Sequence, residues 1–597
     1  MDRKFNTERV MTYQRKKMLI MFCMIFAAAM FLIGRLGYIM IGQGDYYSEK
    51  AQALHERERA IKAPRGRILD RNGVVLAGNR PVCTISVIHS QITDPELVIE
   101  VLSRELNLPE EEIREKVEKV SSREKIKSNV DKGIADAIRA YDLDGVMVDE
   151  DYKRYYPFDD MASKVLGFTG ADNQGIVGLE VEYDSVLQGT DGYILTVTDA
   201  NGIELANTAE ARQEPVAGND LYISIDANIQ SYVQQEAEKA LIAKEAIGVS
   251  IIVMNPQTGE IYAMVNAPEY NLNEPYTLNT DVVYNNENEK QDALNRMWRN
   301  FCINDTYEPG SIFKTVTATA AFEAGVLHVE DTFSCPGYRI VGDRTIRCHK
   351  TTGHGQETFR QGIMNSCNPV FMDVGARVGV DNMYQTYEQL GITSRTGIDL
   401  PGEAGSILHN QESVKDVDLA IMSFGQSFQI TPIQLITAVS AIVNGGNLVT
   451  PHFGLYAQDV DGNRIETYEY PVETGVISEE TSAIMREMME AVVAEGSGRR
   501  GQVEGYRIGG KTATSEKLPR GNGKYISSFI GVAPADNPQV ITLVLINEPT
   551  GIYYGGTIAA PVAQRIYENI LPYLGIEPVY EAEQEAENAT ISGETGQ

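Results

Sequence analysis

Positive charge is what this sequence has least of: its 597 residues carry 52 lysines and arginines against 83 aspartates and glutamates, a formal net charge of −31. No global basic surface is available to neutralise phosphates, which argues against a primary nucleic-acid role. Cysteine is also scarce, and six in a chain of this length are too few for a disulfide scaffold. Long apolar runs are missing except for one, and a mean hydropathy of −0.23 argues against a polytopic membrane protein. What remains is ordinary globular material, 43% hydrophobic and 23% charged. It is enough for more than one folding unit with a sizeable core.

The acidic total conceals an asymmetry. Residues 1–17 hold six basic side chains (Arg3, Lys4, Arg9, Arg15, Lys16, Lys17) and only two acidic ones. Directly after them, Met18 to Gly34 (MLIMFCMIFAAAMFLIG) carries no charge, and the apolar character resumes beyond Arg35. Such a stretch is about long enough to cross a bilayer as a helix, with Arg35 snorkelling to one interface. Basic residues before the span keep the N-terminus cytoplasmic and place the acidic remainder outside. A cleaved signal peptide is the rival, because Ala27-Ala28-Ala29 imitates a cleavage site. The apolar run continues past those alanines, which favours an uncleaved anchor.

Beyond the anchor the pattern divides into two bodies. RGRILDRNGVVLAGN (65–79) reads as two short strands joined at Asp70-Arg71-Asn72-Gly73. Charged helical segments follow around 94–120 and 130–142, then a Gly-rich stretch over 167–193. No nucleophile, base and orienter cluster there, so this body reads as a positioning or interaction module. The second body opens near Asp226 with a helical segment (IQSYVQQEAEKALIAK) and a hairpin, VSIIVMN and IYAMVNA about Pro256-Gln257-Thr258-Gly259. It closes with another hairpin, Tyr525–Pro534 and Val540–Asn547, and an amphipathic helix over 557–571. Helical patterns lie between, one of them capped by Ser478. Strands at both ends predict a mixed α/β domain whose sheet is completed by distant parts of the chain. From Glu577 to Gln597 six glutamates and no basic residue predict a solvated tail.

Three short motifs in the second body carry chemistry. Ser311-Ile312-Phe313-Lys314 sits at a helix start, where residues three apart share a face at about 5–6 Å and the helix dipole favours a developing alkoxide. A serine needs a base, and lysine serves when burial or a neighbouring cation pushes it towards its neutral form. Ser366-Cys367-Asn368 lies in a break between helical segments and offers a hydroxyl for proton relay and an amide for a peptide carbonyl. Taken alone it is also an ordinary helix-capping loop. Lys511-Thr512-Ala513-Thr514 opens the C-terminal β region and offers a cation and two hydroxyls to a carboxylate beside an extended strand. Gly505 to Thr512 (GYRIGGKT) also satisfies the G-x-x-x-x-G-K-[ST] nucleotide-binding pattern. It lacks an apolar strand before it and a helix after it, and ATP binding is not expected.

In this order the three motifs resemble the S-x-x-K, S-x-N and K-T-G boxes of penicillin-binding proteins and β-lactamases. RGRILDRNG, KRYYP (153–157), GIVGLEVEYDSVLQGTDG, VMNPQTGEIYAMVNAPEYN, YEPGSIFK, SFGQSFQITPIQL (423–435) and YYGGTIAAPVAQRI extend the resemblance over most of the chain. Together with the single anchor they look like class B penicillin-binding proteins, the monofunctional peptidoglycan D,D-transpeptidases. The resemblance implies an α/β transpeptidase domain, mainly antiparallel sheet flanked by helices, an elongated α+β N-terminal pedestal or dimerisation domain, and one transmembrane helix. The expected organisation is a basic cytoplasmic segment (1–17), anchor (18–41), pedestal (42–225), transpeptidase domain (226–576) and acidic tail (577–597).

By the same resemblance, Ser311 attacks the penultimate D-alanine carbonyl of a stem peptide and Lys314 is its general base. Ser366 relays the proton, Asn368 binds substrate backbone, and Lys511, Thr512 and Thr514 receive the carboxylate. The backbone amides of Ser311 and Thr514 form the oxyanion hole. No cofactor or metal is implied. The partners implied are peptidoglycan stem peptides ending in D-Ala-D-Ala, β-lactams as inhibitors, the membrane, a membrane glycosyltransferase and other cell-wall synthesis proteins, with no nucleic acid. The rival reading is a non-catalytic scaffold of division or sporulation, or a β-lactam sensor, on the same fold. A sensor needs a cytoplasmic signalling domain larger than 17 residues, and a scaffold more often loses the serine or a lysine.

The cysteines leave alternatives open. Cys335 and Cys348, separated by a short loop, are candidates for a disulfide or for free thiols. Zinc held by Cys335, Cys348, His349 and His354 is a weaker option, because the spacing fits no common ligand pattern. Exported cysteines and the K-T-A-T variant look most like the sporulation-specific branch. Ala513 stands where the family usually has glycine, and its methyl either crowds the substrate or points to the other face. Ala513→Gly is expected to retain or raise the rate of acylation by a penicillin probe, measured by gel fluorescence; a large loss would mean that the fold is built around the methyl.

Overall fold

The apolar run is helical in the computed structural model, which describes residues 2–44, 46–47, 56–121, 123–197 and 211–579. Helix α1 spans Asp2–Gly37 and continues as a π-helical turn, Tyr38–Gly42. The most apolar 18 residues of the segment 15–42 have a mean hydropathy of 2.3 and no buried surface. The helix is long and apolar enough to span a bilayer core of about 30 Å. The acidic tail from 580 onward lies outside the described residues.

The chain folds into two compact units. One comprises residues 1–63, 81–152 and 190–216. In it, strands Glu56–Ile61, Gly192–Val197 and Ala211–Gln213 form an antiparallel sheet. Residues 82–87 pair with strand Glu124–Asp131. Helices Pro95–Leu106, Glu110–Glu118 and Lys132–Ala140 bury Val98, Leu102, Ile113 and Ile138 against Ile85 and Val87. The helical pattern read over 94–120 is thus two helices. Asn107, at a left-handed φ of 50°, and Pro109 stop the first and start the second.

The other unit comprises residues 64–80, 153–189 and 217–597. Asp226 caps α2 (Ala227–Lys244) by accepting hydrogen bonds from the Asn228 and Ile229 amides. Strands β1 (Gly248–Met254) and β2 (Ile261–Ala267) form the expected hairpin. At the far end of the chain, β3 (Gly509–Glu516), β4 (Tyr525–Ala533) and β5 (Val540–Asn547) join them in an antiparallel sheet ordered β2-β1-β5-β4-β3. β5 closes on β1 with Val544 opposite Ile251.

Alternation of side chains explains why these strands read as unbroken apolar runs. Val249, Ile251, Val253 and Val544 pack with α2 and with α7 (Ala560–Tyr573) on one face. Ile252, Met254, Leu543 and Leu545 face the larger core on the other. That core holds α3 (Lys314–Glu323), α4 (Asn368–Gln389), α5 (Pro432–Val443) and α6 (Glu479–Ala494). Every residue of α5 is buried, and its start is fixed by a capping box between Thr431 and Gln434. α6 has the N-cap read from the sequence, Ser478 accepting from the Thr481 amide. The closing helix is interrupted near its start, with a short turn Gly555–Ile558 ahead of α7.

Three sequence segments outside the catalytic motifs meet in one buried ion cluster of this unit. Arg65 Nε donates to Glu180 Oε2 at 2.7 Å, and Arg154 Nε donates to Glu180 Oε1 at 2.6 Å. Arg65 Nη1 reaches Asp184 at 2.7 Å, and the Tyr156 hydroxyl donates to Glu180 Oε1 at 3.2 Å. Arg65, Arg154 and Glu180 are 1%, 6% and 0% exposed. Removing the shared carboxylate charge leaves two guanidiniums buried without it, a change that costs about 3–5 kcal/mol. Glu180→Gln is therefore expected to lower the thermal unfolding midpoint of the chain sharply, whereas Arg67→Gln, at an exposed pair with Asp220, moves it little.

Candidate functional site

The first motif does not begin inside the helix. Ser311 lies in a 3-10 turn, Gly310–Phe313, and α3 starts at Lys314. Side chains three apart eclipse one another in a 3-10 turn, so the serine and lysine remain in line. Gly310 fixes this turn against β3. Its φ is +59°, its amide donates to Gly425 O at 2.9 Å, and a Cβ placed on it would lie 2.3 Å from Ser515 Oγ and 3.3 Å from the Ala513 methyl. Ala513 is 3% exposed, and its methyl packs towards Gly310.

Lys314 is fully buried. Its Nζ donates to Ser366 O at 2.6 Å, Ser366 Oγ at 3.2 Å and Asn368 Oδ1 at 2.8 Å. The second motif occupies the break between helix Phe359–Met364 and α4, whose N-cap is Cys367. Ser366 has a φ of +52°, a left-handed conformation that costs a non-glycine residue about 1–3 kcal/mol and recurs at functional sites. Lys511 Nζ, fully buried on β3, donates to Ser366 Oγ at 2.9 Å and to Thr512 O at 2.9 Å. One hydroxyl is thus contacted by two buried amines, and the three motifs converge on Ser366.

This arrangement makes protonated amines expensive. Burial lowers the Lys314 pKa to about 8, only partly offset by the nearby Cys367 and Cys348 thiols and Glu357. Burial, and then the like charge of Lys314, push Lys511 well below the ordinary lysine value. Thr512 and Thr514 alternate with Lys511 along β3 and have partners of their own. Thr512 Oγ1 is 3.1 Å from Ser497 Oγ, and Thr514 Oγ1 accepts from the Gly555 amide at 3.0 Å. β3 is the last strand of its sheet, with no partner on its outer side among the described residues. The nucleotide-binding pattern at 505–512 has no counterpart here, because Gly509–Lys511 is strand and the lysine is buried against Ser366.

Some of the site has no local sequence signal. Glu308, three residues before Ser311, accepts from the Ser427 amide at 2.8 Å and pairs with Arg520 at 2.7 Å. Arg520 lies in the β3–β4 connection, and Ser427 is held at a φ of +72° with its hydroxyl 2.8 Å from His409 Nε2. These residues are 119 and 212 positions from Glu308. Of the two alternatives open for Cys335 and Cys348, the structure has free thiols. They gather with His354 and with Cys367 of the second motif, the four ligand atoms all within 4.8 Å of one another; His349 Nδ1, 3.8 Å from Cys348 Sγ, is not among the four.

Residues 249–568 match the model of the penicillin-binding protein transpeptidase domain, and residues 60–223 that of the penicillin-binding protein dimerisation domain. The chain belongs to the penicillin-binding protein transpeptidase family. Its relatives are class B penicillin-binding proteins. Stage V sporulation protein D of Bacillus subtilis is 38% identical over 575 residues, covering 94% of this chain and 86% of that protein. The probable peptidoglycan D,D-transpeptidase PenA of Neisseria meningitidis is 31% identical, covering 94% and 93%. The peptidoglycan D,D-transpeptidase FtsI of Escherichia coli is 28% identical, covering 93% and 91%. Among solved structures, a peptidoglycan synthetase from Bifidobacterium adolescentis superposes with a TM-score of 0.70 at 24% identity, covering 88% of this chain and 97% of its own. Penicillin binding protein 3 of Mycobacterium tuberculosis, complexed with aztreonam, gives 0.66 at 24%, covering 87% and 98%. These two likenesses establish the fold.

The packing of the family's first and third motifs sets an order of sensitivity. Gly310→Ala meets both the positive φ and the Ser515 hydroxyl, whereas Ala513→Gly loses one buried methyl and adds strand flexibility worth about 0.5–1 kcal/mol. The expected result, by differential scanning calorimetry, is a clearly larger fall in unfolding midpoint for Gly310→Ala.

Proposed function

We propose that this chain is a membrane-anchored peptidoglycan D,D-transpeptidase that cross-links stem peptides through an acyl-enzyme on Ser311, and that β-lactams are trapped at the same residue. The observation that carries the reading is the bonded row Lys314, Ser366 and Lys511 beside the Ser311 turn and the outer strand of the sheet. It supplies a nucleophile, a base and a proton path in one place.

In this reading the neutral amine of Lys314 takes the Ser311 hydroxyl proton while Oγ attacks the penultimate D-alanine carbonyl. The oxyanion receives the Ser311 and Thr514 amides. The C–N bond to the terminal D-alanine then breaks, and its nitrogen leaves with a proton relayed through Ser366. The amine of a neighbouring stem peptide attacks the ester and returns Ser311 to its hydroxyl form. Asn368 holds the donor backbone. Lys511 faces the substrate carboxylate, and Thr514, whose oxygen already accepts from Gly555, keeps its hydroxyl hydrogen to donate to it. The hydroxyl of Thr512, now beside Ser497, completes the set.

The basic residues ahead of the apolar helix support a cytoplasmic N-terminus and an exported catalytic body. The expected domain division, with a pedestal up to about residue 225 and the transpeptidase domain from 226, is part of the same proposal. A membrane glycosyltransferase that makes the glycan strands is the natural partner. Similarity to stage V sporulation protein D supports a role in sporulation.

Two measurements test the reading. Fluorescent penicillin is expected to label the full chain and fail to label Ser311→Ala; equal labelling of both would overturn it. Because the base form of Lys314 is required and its pKa is lowered to about 8, the acylation rate is expected to climb up to tenfold per pH unit from acid towards pH 8 and then level off. A flat profile over that range would remove Lys314 from the role.

A further inference from the structure

Four side chains that the transpeptidase reading leaves unused converge from four points of the chain. Strand Thr332–Cys335 pairs with Gly355–Thr358 so that Cys335 lies opposite Gly355, which sets His354 beside it. The hairpin Tyr338–Val341 and Arg344–Arg347 returns Cys348 to the same place, with the Cys348 amide donating to Gly337 O at 2.9 Å. Cys367 arrives from the N-cap of α4. His354 Nδ1 lies 3.5 Å from Cys335 Sγ and 3.7 Å from Cys348 Sγ. The three cysteines are 1%, 2% and 0% exposed. The approach is close because Gly353, at a φ of +83°, has no side chain; a Cβ there would lie 2.4 Å from Cys335 O.

We infer that Cys335, Cys348 and Cys367, through Sγ, and His354, through Nδ1, form a tetrahedral site for a thiophilic divalent cation of the zinc class. The four ligand atoms lie within 4.8 Å of one another. A Zn–S bond of about 2.3 Å places tetrahedral ligands about 3.7 Å apart, so a small contraction closes the site. A disulfide would use two of the three sulfurs and leave a thiol and an imidazole without a role, whereas a cation uses all four. A second observation points the same way. Glu357 is 4% exposed, its Oε2 has no hydrogen-bond partner, and that oxygen lies 3.8 Å from His354 Nδ1. A buried carboxylate oxygen without a partner, on the side of the imidazole that faces the sulfurs, adds a negative charge that favours a cation there. On binding, the three thiols release their protons to solvent and donate electron pairs to the cation, with no change of oxidation state.

The site has a consequence for the reaction because Cys367 stands between Ser366 and Asn368. A cation on its sulfur anchors the loop that holds Ser366 at its left-handed φ, and so positions the hydroxyl that Lys314 and Lys511 share. Cys367 acts through its neighbours and touches no reacting atom, which makes it a positioning residue. The spacing concealed the site: the fourth ligand is Cys367, nineteen residues beyond Cys348, and not His349.

The test uses the full chain purified in detergent under reducing, metal-free conditions. Cobalt(II) is expected to bind with the visible and sulfur-to-cobalt charge-transfer bands of a tetrahedral thiolate site, and zinc to displace it at about one ion per chain. Cys335→Ser and His354→Ala are expected to lose that stoichiometric binding, whereas Cys302→Ser, buried outside the cluster, keeps it. Stripping the ion from wild type is expected to lower Ser311 acylation about tenfold or more, with recovery on adding zinc. Failure of the wild-type chain to bind either ion, or isolation of the exported protein with these cysteines paired as a disulfide, would overturn the site. Unchanged acylation in the stripped chain would overturn its positioning role.

Discussion

The site depends on one hydroxyl held between two buried amines. Ser366 Oγ lies 3.2 Å from Lys314 Nζ and 2.9 Å from Lys511 Nζ, and neither lysine is exposed. Two ammonium charges at that separation without solvent are disfavoured, so at least one lysine is driven towards its neutral form. That is what a base for a serine hydroxyl needs. The rest of the domain maintains this contact. α3 delivers Lys314, the outer strand β3 delivers Lys511, and the helix break before α4 delivers Ser366 in a strained left-handed conformation.

Burial of both lysines requires a sheet closed on both faces, and the chain achieves it by joining strands nearly three hundred residues apart. β1 lies next to β5, with Val249 opposite Ile546, so the hairpin that opens the domain and the hairpin that closes it share one core. The outer strand β3 is then supported on a single edge by β4, with Lys511 opposite Ile530. Its other edge has no partner among the described residues, and its inner side chains, Ala513 and Ser515, pack on Gly310. In this geometry the methyl of Ala513 belongs to the packing of the serine turn.

Much of this was readable from residues alone. The hairpins, the Ser478 cap, the Asp226 helix start and the three motifs all depend on local chemistry: alternation, capping and the positive φ of turns. Two kinds of feature were not. Long-range electrostatic ties leave no local trace: Arg65 with Glu180 are 115 positions apart, and Glu308 with Arg520 are 212. Adjacency in sequence suggests His349 as a partner of Cys348, and its Nδ1 does lie 3.8 Å from that sulfur, but it is not one of the four groups whose ligand atoms gather within 4.8 Å; the helix break brings in Cys367 instead. The 3-10 turn at Ser311 was likewise expected as α-helix, since nothing in GSIF distinguishes the two before Gly310 is seen packed on Ser515.

The measurement that bears most directly on the central claim is the fate of D-alanine. When the full chain is incubated with a synthetic stem pentapeptide donor, the account predicts free D-alanine, with the donor, less that residue, attached as an ester to the peptide that contains Ser311. Folded protein that releases no D-alanine, or that carries the adduct on any other residue, would contradict it.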